Sequence, residues 1–151
     1  MDARPQGTRI LYQVKQLELA IRARLDAVVR RHGITVTQYT ALTVLEQHPG
    51  MSSAQLARHS FVSAQAMDGI VRAREEAGRI ERPRDPTNRR RLLTALTPAA
   101  RSLLAACRGQ VDLIEEQAFA SLDAADREQL SAWLSESRRA LDSERADATQ
   151  P

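Results

Sequence analysis

The stretch from Ser63 to Arg91 constrains the chain more than any other, because no single regular element can span it. Ala64 to Ala77 runs without proline behind Ser63, whose hydroxyl can accept a hydrogen bond from the free backbone N–H groups of a first helical turn. Gly78 suits the left-handed position that commonly ends a helix. Two β-like runs follow, Arg79-Ile80-Glu81-Arg82 and Arg91-Leu92-Leu93-Thr94-Ala95-Leu96, separated by Pro83 to Arg90. Proline and Asp-Pro disfavour helix and seed turns. The stretch therefore predicts a helix, an abrupt stop, and a hairpin pairing 79–82 with 91–96 around an exposed tip.

The helix has two unlike faces. Met67, Ile70 and Val71 share one by the three-to-four spacing, while Gln65, Asp68, Gly69 and Arg72 share another. Gln can bridge the two major-groove positions of adenine, Arg those of guanine, and Asp can accept from the cytosine amino group. An ordinary amphipathic surface helix would show the same division, so the next segment matters. From Arg79 to Arg91 there are six arginines against two acids, Glu81 and Asp85, with Arg84, Arg89 and Arg90 in the connection itself. Cations gathered on a narrow projection suit a minor groove or a row of phosphates, where each neutralised phosphate releases a counterion. A merely solvated charge run is the competing reading.

This region resembles the winged helix-turn-helix of the MarR (multiple antibiotic resistance regulator) family. That family's wing pattern places a glycine and an Ile ahead of Arg-x-x-Asp-Pro-x-Asp-Arg-Arg and then Leu-Thr. Here Gly78 and Ile80 precede Arg82-Pro83-Arg84-Asp85-Pro86-Thr87-Asn88-Arg89-Arg90, followed by Leu96-Thr97. The similarity extends in order over roughly residues 10 to 141. It implies that Arg90 is the wing arginine that enters the minor groove, and that Ser63, Gln65 and Ala66 lie at the groove-facing start of the reading helix. Three departures stand out. Asn88 replaces the usual Asp, so an ion pair orienting the wing arginine becomes a neutral hydrogen bond. Asp68 and Gly69 stand where Thr and Arg are frequent, which takes a cation from the reading face and adds an anion. Arg74 and Arg79 replace Leu; Arg74 continues the packing face, so its stem should pack while its head reaches solvent or an acid.

The rest of the chain supplies the frame. Ile10, Val14, Leu17, Ile21, Leu25 and Val28 predict a long amphipathic helix over about 9–31, ended by Gly33. Thr35-Val36-Thr37-Gln38 and Ser52-Ser53-Ala54-Gln55 are capping boxes that start helices running to about Gln47 and His59. With the Ser63 helix, the second of these forms a helix-turn-helix. Thr97-Pro98 starts a long helix striped by Leu103, Cys107, Val111, Ile114 and Ala118 to about Ser121, and Asp123 caps a last one carrying Leu130, Trp133, Leu134 and Leu141. The fold expected is mainly α: a winged helix-turn-helix core over about 35–97, with a small hairpin wing and long dimerisation helices over about 9–31 and 98–141. All of it reads as one domain of 151 residues, with polar, frayed ends at 1–7 and 142–151.

Aromatics are only 3% of residues, so the core must be built from Leu, Ile, Val and Ala. A net charge of +3 is modest, and its concentration in the wing is what points to an anionic partner. One cysteine excludes an intramolecular disulfide, and neither a signal peptide nor an 18-residue apolar span is evident. A cytoplasmic protein without membrane association is expected. Cys107 lies on an apolar stripe and reads as a packing residue. His32, His48 and His59 lack metal-ligand spacing, no Ser-His-Asp arrangement or Gly-rich phosphate loop is present, and Glu115-Glu116 reads as a solvated face. No metal, no cofactor and no enzymatic activity are expected.

The function expected is that of a homodimeric regulator of transcription that binds double-stranded DNA, a repressor relieved by a ligand. Gln65, Asp68 and Arg72 are assigned to base edges, Ser63 to a phosphate, Arg90 to the minor groove, and Arg84, Arg89 and Arg91 to the backbone. The resemblance further implies a small aromatic or lipophilic effector between the dimerisation helices and the winged core, with Tyr12 and Tyr39 as candidate contacts. The alternative is a dimer of the same fold whose DNA binding is weakened by Asp68, Gly69 and Asn88, acting as a ligand-binding or protein-interaction module.

Overall fold

The computed structural model describes residues 9–60 and 62–147. They form α1 (Ile10–Val29), α2 (Val36–Gln47), α3 (Ser53–His59), α4 (Ala64–Glu76), β1 (Ile80–Glu81), β2 (Ala95–Leu96), α5 (Pro98–Ala118) and α6 (Ala124–Asp147). A single 3-10 turn at Arg30–His32 continues α1 to Gly33, whose φ of 72° closes it in the left-handed conformation. The chain falls into two compact units, Met1–Ile114 and Glu115–Pro151.

Both capping boxes form. Thr35 Oγ1 accepts from the Gln38 backbone N–H while Gln38 Oε1 accepts from that of Thr35, and Ser52 and Gln55 do the same for α3. Ser63 Oγ accepts from the Ala66 N–H at 3.1 Å, opening α4, and Gly78, at φ 69°, follows its last turn. Thr97 Oγ1 accepts from the Ala100 N–H to start α5 and donates to the Gly78 carbonyl at 2.6 Å, tying the end of one helix to the start of the other.

The core of the first unit is aliphatic, as the scarcity of aromatics demands. Leu42, Leu45, Leu56, Met67, Val71, Ile80 and Cys107 are almost fully buried in it, and Val111 and Ile114 pack half-buried against it. Ala118, the last position of the expected stripe, is exposed and ends α5 three residues short of Ser121. In the second unit Asp123 Oδ1 accepts from the Asp126 N–H at 2.9 Å and so caps α6. Arg127 binds the Glu116 carboxylate through both terminal nitrogens, at 2.7 and 3.1 Å, and the Phe119 carbonyl as well. α6 runs to Asp147, past the boundary at Asp142 that polarity suggested. The expected fraying of 1–7 and of 148–151 lies outside the described residues.

The two expected runs do pair, over a shorter ladder than their lengths suggest. Ile80 pairs with Leu96, Glu81 with Ala95, and an isolated bridge joins Arg84 to Leu92. The ladder is interrupted between them because Pro83 has no N–H to donate, although its carbonyl accepts from the Leu93 N–H at 3.0 Å. Thr94 turns its backbone the other way, as alternate residues of an antiparallel strand must. Its N–H donates to the Met51 carbonyl and its carbonyl accepts from the Gly50 N–H, so the segment before α3 serves the hairpin as a third strand would.

Candidate nucleic-acid interface

Helix α4 is sided as its sequence predicts. Met67 and Val71 are buried and Ile70 is half-buried, whereas Gln65, Ala66, Asp68, Gly69 and Arg72 are exposed beside the exposed cap Ser63. A Cβ added at Gly69 would meet no atom within 4 Å. Asp68 is not free to turn: its Oδ1 accepts from the Ser53 hydroxyl of α3 at 2.6 Å. Arg74 is half-buried, its Nε is buried without a hydrogen-bond partner, and among the described residues no acid forms an ion pair with it. Arg79, the other replacement for Leu, swings out and donates from Nη1 to the Ala99 carbonyl at 2.8 Å, bonding the wing's first residue to the start of α5.

The wing tip is a turn built by side chains of two short polar residues. Asp85 Oδ1 accepts from the Thr87 backbone N–H at 2.8 Å and from the Thr87 hydroxyl at 2.6 Å. Those bonds, the hydroxyl's first, hold the Asp85 carboxyl below the ordinary carboxylate range. Asn88 Oδ1 accepts from the Arg90 backbone N–H at 3.2 Å and its carbonyl from the Arg91 N–H, so Asn88 shapes the turn through the backbone of Arg90 where an Asp would offer an ion pair. Arg84 Nη1 donates to the Arg89 carbonyl across the turn at 3.0 Å. Arg84, Arg89, Arg90 and Arg91 are all exposed. Arg91 differs from the others in its direction: Nη2 donates to Gln55 Oε1 on α3 at 2.9 Å. Gln55 and Ser53 enter the sequence reading only through the capping box, since separations of 36 and 15 residues leave no local signal of their second partners.

The two candidate ligand contacts differ in exposure. Tyr12 lies exposed on α1, its hydroxyl accepting from Gln16 Nε2 at 2.6 Å. Tyr39 is half-buried against the core; burial first, and then the neighbouring titratable groups Cys107 and Glu46, push its phenol upward. An open depression of about 310 Å³ lies between α1 and the start of α2, lined by Leu19, Arg22, Ala23, Asp26, Thr35, Val36 and Thr37, and neither tyrosine lines it. Burial also raises the Cys107 thiol, which suits a packing role. The rings of His48 and His59 lie 5.7 Å apart, tilted by 37°. Among the described residues no group of three or more His, Cys, Asp or Glu is placed to hold a metal ion.

A cationic hairpin tip beside an exposed, polar helix face is a shape that fits adjoining grooves of a duplex. Comparison with known proteins gives the same direction. The model of the MarR family matches residues 34–92, which run from just after Gly33 to Leu92, the residue bridged to Arg84 ahead of β2. The HTH-type transcriptional repressor Rv2887 of Mycobacterium tuberculosis is 32% identical over 133 residues, 88% of this chain and 93% of that protein. Its crystal structure in complex with DNA superposes with a TM-score of 0.69 at 28% identity, covering 86% of this chain and 98% of the other. Its complex with salicylic acid gives 0.69 at 29% identity, covering 87% and 97%. With that share of both chains aligned and the wing pattern in place, this chain belongs to the MarR family.

Proposed function

We propose that this protein is a homodimeric transcriptional repressor that binds double-stranded DNA through α4 and the wing and is released by a small aromatic effector. The observation that carries the reading is the pairing of an exposed α4 face with an arginine-tipped wing in a member of a family whose relatives are repressors. Gln65, Ala66 and Arg72 serve the major groove, Ser63 a phosphate at its edge, Arg90 the minor groove, and Arg84 and Arg89 further phosphates. The relative's complexes with DNA and with salicylic acid support both partner classes. Residues 9–147 act as one functional domain, with helices from both chain ends forming the dimer. None of the described helices is long and apolar enough to cross a membrane, and a cytoplasmic regulator without catalytic activity is the reading adopted.

Fluorescence anisotropy with duplex from the protein's own upstream region, against a scrambled duplex over a salt series, tests this. Tighter binding to the native duplex with affinity falling steeply in salt is expected. Arg90→Ala should weaken binding at every sequence and lower the salt slope by about one, and Arg72→Ala should relax preference at one position. Absence of binding at low salt by a folded dimer would favour the second reading, an interaction or ligand-binding module, for which the anionic Asp68 on the reading face is the supporting observation.

A further inference from the structure

The continuous ladder of the hairpin is Ile80–Glu81 with Ala95–Leu96, and past Pro83 an isolated Arg84–Leu92 bridge carries the pairing on, too little regular strand to hold a projecting tip by itself. Support from outside the hairpin comes from the segment that opens α3. Thr94 is bonded to Gly50 and Met51, and beyond it toward the tip Arg91 Nη2 donates to Gln55 Oε1. That oxygen is already in use: it accepts from the Ser52 backbone N–H at 2.9 Å and the Ser52 hydroxyl at 3.2 Å. One amide oxygen thus joins the cap of α3 to a wing arginine. Two residues away Ser53 donates to Asp68, so the same turn also grips α4.

We propose that the first turn of α3 is a bracket that sets the wing and α4 in one register for DNA, with Gln55 and Arg91 as positioning residues and Arg91 not a phosphate contact. This rests on the DNA-binding reading above, and it reassigns Arg91. The bond is charge-assisted on the arginine side and crosses 36 residues of sequence, so it limits the freedom of the tip in a way no bond within the hairpin does. Arg84, bonded within the turn, and Arg90, whose backbone alone is held there, keep guanidinium groups for the nucleic acid.

The two roles leave different signatures. A lost phosphate contact lowers the slope of log affinity against log salt by about 0.9. A lost bracket leaves the slope unchanged and lowers affinity by about three- to tenfold, because the wing must be ordered on binding. Hydrogen exchange of the free full-length protein reads the bracket without DNA. Arg91→Ala and Gln55→Ala should each speed exchange of the Asp85 and Leu93 amides about threefold or more, and Gln55→Glu, which keeps an acceptor, should preserve their protection. In the DNA titration the double variant should bind no more weakly than the weaker single one, the non-additivity expected of two residues sharing one bond. Unchanged exchange in both single variants overturns the proposal, as does a slope reduced by about 0.9 in Arg91→Ala alone. If the parent protein binds no duplex, the DNA reading fails, and the exchange experiment still decides whether the bracket exists.

Discussion

Asp85 is a buried carboxylate in a turn rich in arginine, yet the groups that bond to it are the hydroxyl and N–H of Thr87. Its folded-state pKa is depressed, so the stability it contributes is complete above the unfolded value and is lost as pH falls through the folded one. Wing geometry is therefore expected to be independent of pH across the neutral range and to loosen only below the ordinary carboxylate range. Thr87→Val removes the larger of the two bonds, and a carbon-detected titration of the Asp85 carboxyl should show its midpoint rise. A midpoint that stays put would assign the depression to the backbone N–H groups of Thr87 and Asn88 instead. Two glycines behave oppositely at this scale. Gly69 lies within α4 with open space where an added methyl would sit, so Gly69→Ala should stabilise by about 1 kcal/mol in urea unfolding. Gly78, at φ 69°, is strained by any side chain, and Gly78→Ala should destabilise by about 1 kcal/mol. The first contrast was open to reading from sequence only as a cost of glycine, since nothing local says whether a neighbour fills the space.

At the level of elements, the helices are governed by short-range chemistry. Thr35 with Gln38 and Ser52 with Gln55 form reciprocal boxes, so the starts of α2 and α3 could be placed to the residue from four-residue patterns. Thr35→Ala should cost about 1 kcal/mol, measured by chemical denaturation, with the Gln38 N–H left to solvent; a change near zero would mean that packing alone sets the start of α2. The hairpin was less legible because its bonds are decided at a distance. Residue preferences marked 79–82 and 91–96 as extended, and the register is common from Arg79 to Asp85, but Pro83 breaks the ladder and Thr94 is claimed by Gly50 and Met51. The site divides the same way. Exposure of Gln65 and Arg72 opposite buried Met67 and Val71 follows from helical periodicity. The grip of Ser53 on Asp68 and of Gln55 on Arg91 follows from how α3 crosses its neighbours, which periodicity does not encode.

For the molecule as a whole, the unsolved quantity is apolar surface. Ile10, Leu11, Val14 and Leu17 on α1, Leu113 on α5, and Trp133, Leu134 and Leu141 on α6 are between 41% and 78% exposed, more large apolar side chain than a lone chain keeps in water. The homodimer proposed above would cover it, and two reading helices would then face grooves about 10 base pairs, or a multiple of that, apart. The chain holds one tryptophan, Trp133 on α6, and it is 60% exposed. Its emission is therefore a report on α6 alone. Diluting the protein through its dimerisation range should shift the emission of Trp133 to the red over the same concentrations at which sedimentation velocity shows dissociation, and the thermal midpoint should fall with dilution. Leu134→Glu, which puts a charge beside it on the same helix, should move both transitions to higher protein concentration by at least about tenfold, the effect of burying an unpaired carboxylate. A dimer whose tryptophan emits as though in water at every concentration would place the interface on α1 and α5 and leave α6 outside it.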